Sequence, residues 1–222
     1  MKTRHMTPLA LAVLLTVAAA GPALAANTLD VTNAAAIEGN FGMEVTHDGS
    51  TNRVYVQDNS PSCETVYRAE FDFDRNDILI DNCSGTCSNR HVIFLARQSS
   101  PATTPFRITL IRFKVDASGS VPRYAIRLSA REDAGNFRFV GGFVLAGAPR
   151  TVAVEWTAGS GDGIARLLKN DVVQRELTNL DNDTHCVDLV RLGATSGLTA
   201  ADALTDGTVY YDSFVSLRSV SP

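Results

Sequence analysis

Hydrophobic and polar residues alternate with a period of two along most of this chain. Thr65 to Asp74 is the clearest case, with Tyr67, Ala69, Phe71 and Phe73 on one side and Arg68, Glu70, Asp72 and Asp74 on the other. Such alternation predicts a strand with one buried face. Arg123 to Arg131 repeats it: Tyr124, Ile126, Leu128 and Ala130 face one way, Arg123, Arg127 and Arg131 the other. Arg150 to Trp156 places Val152, Val154 and Trp156 together, and the chain then runs through Gly159-Ser160-Gly161-Asp162-Gly163, read here as a break. Ile164–Lys169 and Val172–Leu177 follow as a hairpin turning on Asn170-Asp171, two residues that tolerate positive φ.

Further strands are predicted at Phe41–His47, Arg53–Gln57, His91–Arg97, Arg107–Val115, Phe137–Leu145, Val187–Gly193 and Val209–Leu217. His91–Arg97 is apolar on both faces, which suits a central strand. Gly141-Gly142 predicts a bulge in Phe137–Leu145. Asn27–Gly39 is read as a lead-in with at most one helical turn at Asn33–Ile37. Roughly eleven short strands without an amphipathic helix predict an all-β, antiparallel two-sheet β-sandwich of the jelly-roll kind.

The N-terminus changes the compartment. Lys2 and Arg4 precede an apolar run from Leu9 to Ala20, and Pro22-Ala23-Leu24-Ala25 ends in an Ala-x-Ala pattern. This reads as a secretory signal peptide over residues 1–25, leaving one domain over residues 26–222 and no membrane span after cleavage. The expected location is secreted or periplasmic, in a bacterium. Lys and Arg number 20 against 24 Asp and Glu, a net charge of −4, and loss of Lys2 and Arg4 makes it −6. That balance argues against a nucleic-acid partner. Lysine stands only at Lys2, Lys114 and Lys169, so the basic groups are nearly all guanidinium.

Four exported cysteines in an oxidising compartment point to two disulfides. Spacing leaves three pairings open; the turn-forming Asn82-Cys83-Ser84-Gly85-Thr86-Cys87 favours Cys83 with Cys87, and Cys63 then joins Cys186. Zinc spacing is missing, and His91 and His185 are read as ordinary polar residues at strand starts.

Trp156, the glycine-rich loop, the hairpin, Val187-Asp188-Leu189-Val190-Arg191-Leu192-Gly193 and Gly207-Thr208-Val209-Tyr210-Tyr211-Asp212 together resemble the second half of a concanavalin A-like lectin/glucanase sandwich, laminin-G-like in particular. Asn170-Asp171 stands where Asp-Gly is usual in that family. The resemblance covers Val152 to Ser219 by motif and implies fold more than activity. Glu70-Phe71-Asp72-Phe73-Asp74 is similar to the Glu-x-Asp-x-Glu strand of retaining β-glucanases, which implies Glu70, Asp72 and Asp74 as a catalytic set. Reach opposes it: the outer two residues stand ~13 Å apart along a strand, whereas a retaining pair needs carboxyls ~5.5 Å apart. Arg68-Ala69-Glu70 with Arg90-His91-Val92 also resembles strands of jelly-roll alginate lyases, without their Gln and without a C-terminal Tyr/Lys strand.

No nucleophile elbow and no phosphate loop is present. Calcium is the one cofactor to weigh, at Asp72, Asp74, Asn76 and Asp77 or at Asp181-Asn182-Asp183, but the glycine expected after the first set is replaced by Asp77, so no metal ligand is assigned. The remaining candidates are the polar strand faces, Arg68, Glu70 and Asp72 on one strand and Arg123, Arg127 and Arg131 on another. Brought onto one concave sheet, their guanidinium forks would grip the acidic groups of a glycan. The reading is therefore a secreted module that binds a carbohydrate or cell-surface glycan without catalysis. Behind it stand an adhesive envelope protein and a glucanase-type hydrolase.

Overall fold

The computed structural model describes residues 26–80, 89–113, 123–196 and 205–218. Among them every regular element is a strand. In chain order these are β1 (Thr28–Thr32), β2 (Gly42–Asp48), β3 (Val54–Asp58), β4 (Val66–Asp74), β5 (Leu79–Ile80), β6 (Arg90–Arg97) and β7 (Phe106–Phe113). β8 (Arg123–Arg131), β9 (Phe137–Leu145), β10 (Arg150–Thr157), β11 (Ser160–Lys169), β12 (Val172–Asp181), β13 (Leu189–Ser196) and β14 (Thr205–Leu217) follow. One sheet has the order β1-β2-β14-β4-β10-β11-β12, with β5 beside β14; the other has the order β3-β13-β6-β7-β8-β9. Every pairing is antiparallel. This is the two-sheet sandwich that the alternation predicts.

The inward halves of the alternating strands meet between the sheets. Tyr67, Ala69, Phe71 and Phe73 of β4 and Tyr124, Ile126, Leu128 and Ala130 of β8 are all buried. Aromatic rings join the layers: Phe71 lies 5.8 Å from Phe94 and Trp156 5.8 Å from Phe106, centre to centre. Such pairs add to the stabilisation that the buried area already supplies. Trp156 is wholly inside, so its indole is core and not a platform for sugar rings.

Three local readings are revised. Residues before Gly39 form an edge strand, β1, followed by a turn closed by the Ala36 amide on the Asn33 carbonyl at 3.3 Å. The glycine-rich stretch does not end the sheet: β11 begins at Ser160 and absorbs the surplus residues as register shifts against β12. β14 runs for 13 residues and slips register against β4 between Asp212 and Val215, around Ser213 with its φ of +51°. The hairpin at Asn170-Asp171 is as expected, with φ of +49° and +61°.

The bulge in β9 is also present, between the levels of Ile126 and Leu128. A Cβ on Gly142 would strike the Ile126 carbonyl. Glycine there lets β9 close on β8 and carries Phe139 to the outer surface. Cys63 and Cys186 form the expected disulfide, and Glu64 pairs with Val187 beside it. Cys83 and Cys87 lie outside the described residues, as do residues 1–25.

Candidate functional site

The two polar strand faces do not share a sheet. Arg68, Glu70 and Asp72 stand on β4 in the larger sheet, whereas Arg123, Arg127 and Arg131 stand on β8 in the smaller one. Since both rows point away from the shared core, they lie on opposite sides of the molecule, and the single concave surface expected from sequence does not form.

The β4 row is occupied by its own ion pairs. The Arg68 guanidinium donates to Glu70 at 2.6 Å, to Glu155 at 2.7 Å and to Asp171 at 2.9 Å. Arg166 extends the network, reaching Glu155 at 3.6 Å and Glu176 at 2.6 Å. Burial works against the charge of Arg68, but the bonds to Glu70, Glu155 and Asp171 outweigh it and raise the pKa above the usual arginine value. Asp72 is buried and accepts the Thr151 hydroxyl at 2.7 Å, and Asp74 accepts the Asn76 amide at 2.8 Å. The three carboxylates of the glucanase-like reading are thus held as structural partners. Asp77 likewise accepts the Thr208 amide and hydroxyl, each at 2.7 Å. Asp181 and Asp183 group with Asp133, and the hydrogen bond with Asp133 raises the Asp183 pKa.

The outer face of the smaller sheet is different. Register puts Gln57, Arg191, Leu95, Arg107, Ser129 and Phe139 in one transverse row across all six strands. A second row carries Val92, Thr109 and Arg127, and Arg131 sits opposite Phe137. Arg90, Arg97 and Arg123 belong to the same face by alternation. Among the described residues, no Asp or Glu occupies an outward position of these six strands.

The arginines rest instead on aromatic rings. Arg107 lies 4.2 Å and Arg131 4.7 Å from the Phe137 ring centre, Arg127 4.9 Å from Phe139, and Arg191 4.4 Å from Tyr55. Arg191 also donates from Nε to Gln57 at 2.7 Å, and Arg131 to the Gly135 carbonyl at 3.0 Å. The Nε atoms of Arg127 and Arg131 are buried with no hydrogen-bond partner. Burial lowers the pKa of Arg107, with repulsion from Arg90 and Arg131 added; burial and then Arg90 and Arg107 do the same to Arg127. Arg90 and Arg131 thus bear on Arg107, and Arg90 and Arg107 on Arg127, without a carboxylate among them to offset the charge.

Among the described residues of these strands, Tyr55 is the titratable group other than arginine on that face. Opposite it stands Gly193, with φ of +126°, where a Cβ would come within 2.7 Å of the Val54 carbonyl. Glycine therefore lets β3 close on β13 and leaves the surface beside Tyr55 open. Sequence singled out Arg123, Arg127 and Arg131 here but not Arg107, Arg191 or Tyr55, which become neighbours only through strand order. An apolar cleft of about 270 Å³ lined by Val31, Phe41, Val56 and Phe214 lies at the β1–β3 edge. Its one carboxylate, Asp212, is already held by the amides of Ile37 and Glu38 at 2.9 and 2.8 Å.

No family model matches the chain, and no curated protein is similar to it in sequence. Solved structures are. The endo-β-1,4-glucuronan lyase from the fungus Trichoderma reesei superposes with a TM-score of 0.56 at 13% identity, over 86% of this chain and 86% of its own. Cellulose induced protein, Cip1, gives 0.56 at 12%, over 87% and 86%. The PL-14 alginate lyase from the marine Aplysia kurodai gives 0.52 at 12%, over 85% and 86%. At such identities the likeness establishes the fold, a jelly-roll sandwich related to the concanavalin A-like one. It also corrects the expectation of a module without catalysis: the structures sharing this sandwich along most of their length include lyases of glucuronan and alginate. The non-catalytic and adhesive readings are accordingly withdrawn; Glu70, Asp72 and Asp74 of the glucanase-type reading are each engaged by a neighbour, Arg68, Thr151 and Asn76.

Proposed function

We propose that this chain is a carbohydrate-active enzyme, a lyase that cleaves an acidic polysaccharide laid across the outer face of the smaller sheet. The observation that carries the reading is the arginine face itself: guanidinium groups on four of the six strands, β13, β6, β7 and β8, with no outward carboxylate among the described residues. Arg191 and Arg107 stand two strands apart in one row, roughly 9–10 Å at the usual strand spacing, so successive acidic groups of one polymer can meet successive arginines. Phe137 and Phe139 are already covered by Arg131, Arg107 and Arg127 and therefore stiffen the donors.

The chemistry fits a uronate. Pairing the sugar carboxylate with arginine neutralises it and makes the adjacent C5 proton removable. A base takes that proton, the electron pair forms the C4–C5 double bond, the C4–O bond breaks, and the departing oxygen takes a proton. Tyr55, beside Arg191, is the group placed to exchange protons there. The names of the glucuronan and alginate lyases support this class of substrate. The signal-like N-terminus and the Cys63–Cys186 bridge support export.

The test is to incubate the purified protein with glucuronan, alginate and a neutral glucan and to follow ultraviolet absorbance of the new double bond. Absorbance should rise with a uronate polymer and not with the glucan. Absence of any rise across the uronate polymers overturns the reading.

A further inference from the structure

On the other side of the smaller sheet, away from the arginine face, two histidines meet in the interior. His47 points inward from β2 and His91 inward from β6, so the pair spans the two sheets. Their rings stand 4.9 Å apart, centre to centre, inclined at 50°. Each is 1% exposed, and all four ring nitrogens are buried without a hydrogen-bond partner. A neutral imidazole has one N–H donor and one lone pair. Leaving both unmet on two rings costs several times what a single lost hydrogen bond costs, and buried polar groups in folded proteins are seldom left so.

The geometry points to a bound metal ion: we propose that His47 and His91 are the paired imidazole ligands of a zinc-class divalent cation held between the sheets. Two imidazoles on one tetrahedral ion, each with a metal–nitrogen bond of about 2.0–2.1 Å, place their ring centres roughly 5 Å apart. The observed ring-centre separation is close to that spacing. The carboxylates of Asp48 and Asp206, opposite each other on β2 and β14, bear on His47 and would offset the charge of the ion. Imidazole is a borderline donor, suited to zinc, cobalt or nickel and poor for calcium. The two rings supply half of a tetrahedral set and leave the other positions to water. The site is separate from the arginine face, and its existence does not depend on the lyase reading.

The purified protein, freed of metal by chelation and dialysed, is titrated with zinc or cobalt(II) under calorimetric and optical detection. One equivalent should bind per chain, and the melting temperature should rise with free zinc because the ion binds the folded state. His47→Gln and His91→Gln should each weaken binding at least tenfold, while His185→Gln leaves it unchanged. X-ray absorption of the zinc-loaded wild type gives a second readout that needs no variant: it should show the outer-shell scattering of two imidazoles. A folded wild type that takes up no ion overturns the proposal. An all-oxygen shell, as binding at Asp133, Asp181 and Asp183 would give, overturns it too.

Discussion

Arg127 lies 4.9 Å over the ring of Phe139, with its Nε buried and unbonded. The ring holds the guanidinium in place on the outer face before a ligand arrives. Loss of a charge-assisted hydrogen bond to a carboxylate costs about 1.5–3 kcal/mol, which is about 10- to 100-fold in kcat/KM. Arg127→Ala should show that loss on a uronate polymer, and Arg127→Lys should recover little of it, because an ammonium cannot reproduce the planar fork. The melting temperature should change by only a few degrees, since repulsion from Arg90 and Arg107 is relieved as the packing is lost. Full activity in both variants would remove the arginine face from the mechanism.

Arg68 and Glu70 give the opposite expectation. Glu70→Gln keeps the shape of the side chain and removes a charge that meets Arg68 at 2.6 Å. Arg68 retains Glu155 and Asp171. Turnover should be unchanged, and stability in urea should fall by less than about 1 kcal/mol, as for a half-exposed pair. Arg68→Ala should cost more, because Glu70 then loses its cation and Glu155 keeps only Arg166 at 3.6 Å. A hydrolase using this strand would lose all activity in Glu70→Gln.

Why the fold was readable and the site was not follows from what sets each. The period of two is local, so Tyr67 to Phe73 and Tyr124 to Ala130 declared their buried faces without reference to any other strand. The bulge at Gly142 and the turn at Asn170-Asp171 were also local backbone requirements. The site depends on strand order. Arg107, Ser129 and Phe139 are neighbours because β7, β8 and β9 follow one another, but Arg191 and Gln57 join their row only because β13 and β3 complete that sheet. Nothing in spacing along the chain carries that information, and for the same reason Arg68 and Arg127 were placed together when the core separates them. His47 was legible as inward, two positions after Val45; that it meets His91 was not.

Asp212 ties the turn after β1 to β14 across 175 positions of the chain, accepting the Ile37 amide at 2.9 Å. Partial burial favours its protonated form, but the bonds from Glu38, Ile37 and Ser213 outweigh that and lower its pKa. A carboxylate depressed in the folded state stabilises fully above its unfolded value, and that contribution is lost as pH falls through the unfolded and then the folded value. Asp77 and Asp58 are lowered as well. Stability should therefore begin to fall below about pH 6.5, where the unfolded chain protonates His47 and His91 while burial holds both neutral in the fold, and fall further below about pH 4, the region where an unperturbed aspartate titrates. Asp212→Asn should be less stable than wild type at pH 7 and should lose part of that acid dependence; urea midpoints at several pH values measure both. Parallel wild-type and variant curves would show that the amide contacts contribute nothing.

The Cys63–Cys186 bridge joins the segment before β4 to the segment before β13, with 123 positions between the two cysteines. Reduction should act mainly on the unfolded chain, which regains the freedom of a long loop, while the folded pairing survives locally. Glu64 and Val187 exchange two backbone bonds at 3.0 Å, and Asp188 accepts the Cys63 amide at 3.0 Å. The chain-entropy estimate for a loop of this length is about 4–5 kcal/mol. For a chain of this size each kcal/mol shifts the midpoint by about 2–4 °C, so Cys63→Ala with Cys186→Ala should melt roughly 10–15 °C lower. The bridge precedes β13, and the contacts of Arg107, Arg127 and Arg191 run to Phe137, Phe139, Tyr55 and Gln57 instead, so at a temperature where both proteins are folded the double variant should keep wild-type kcat and KM on its polymer. Differential scanning calorimetry beside steady-state kinetics checks the two halves together. Melting unchanged by the double substitution would place the stabilisation in the local contacts and not in the covalent link.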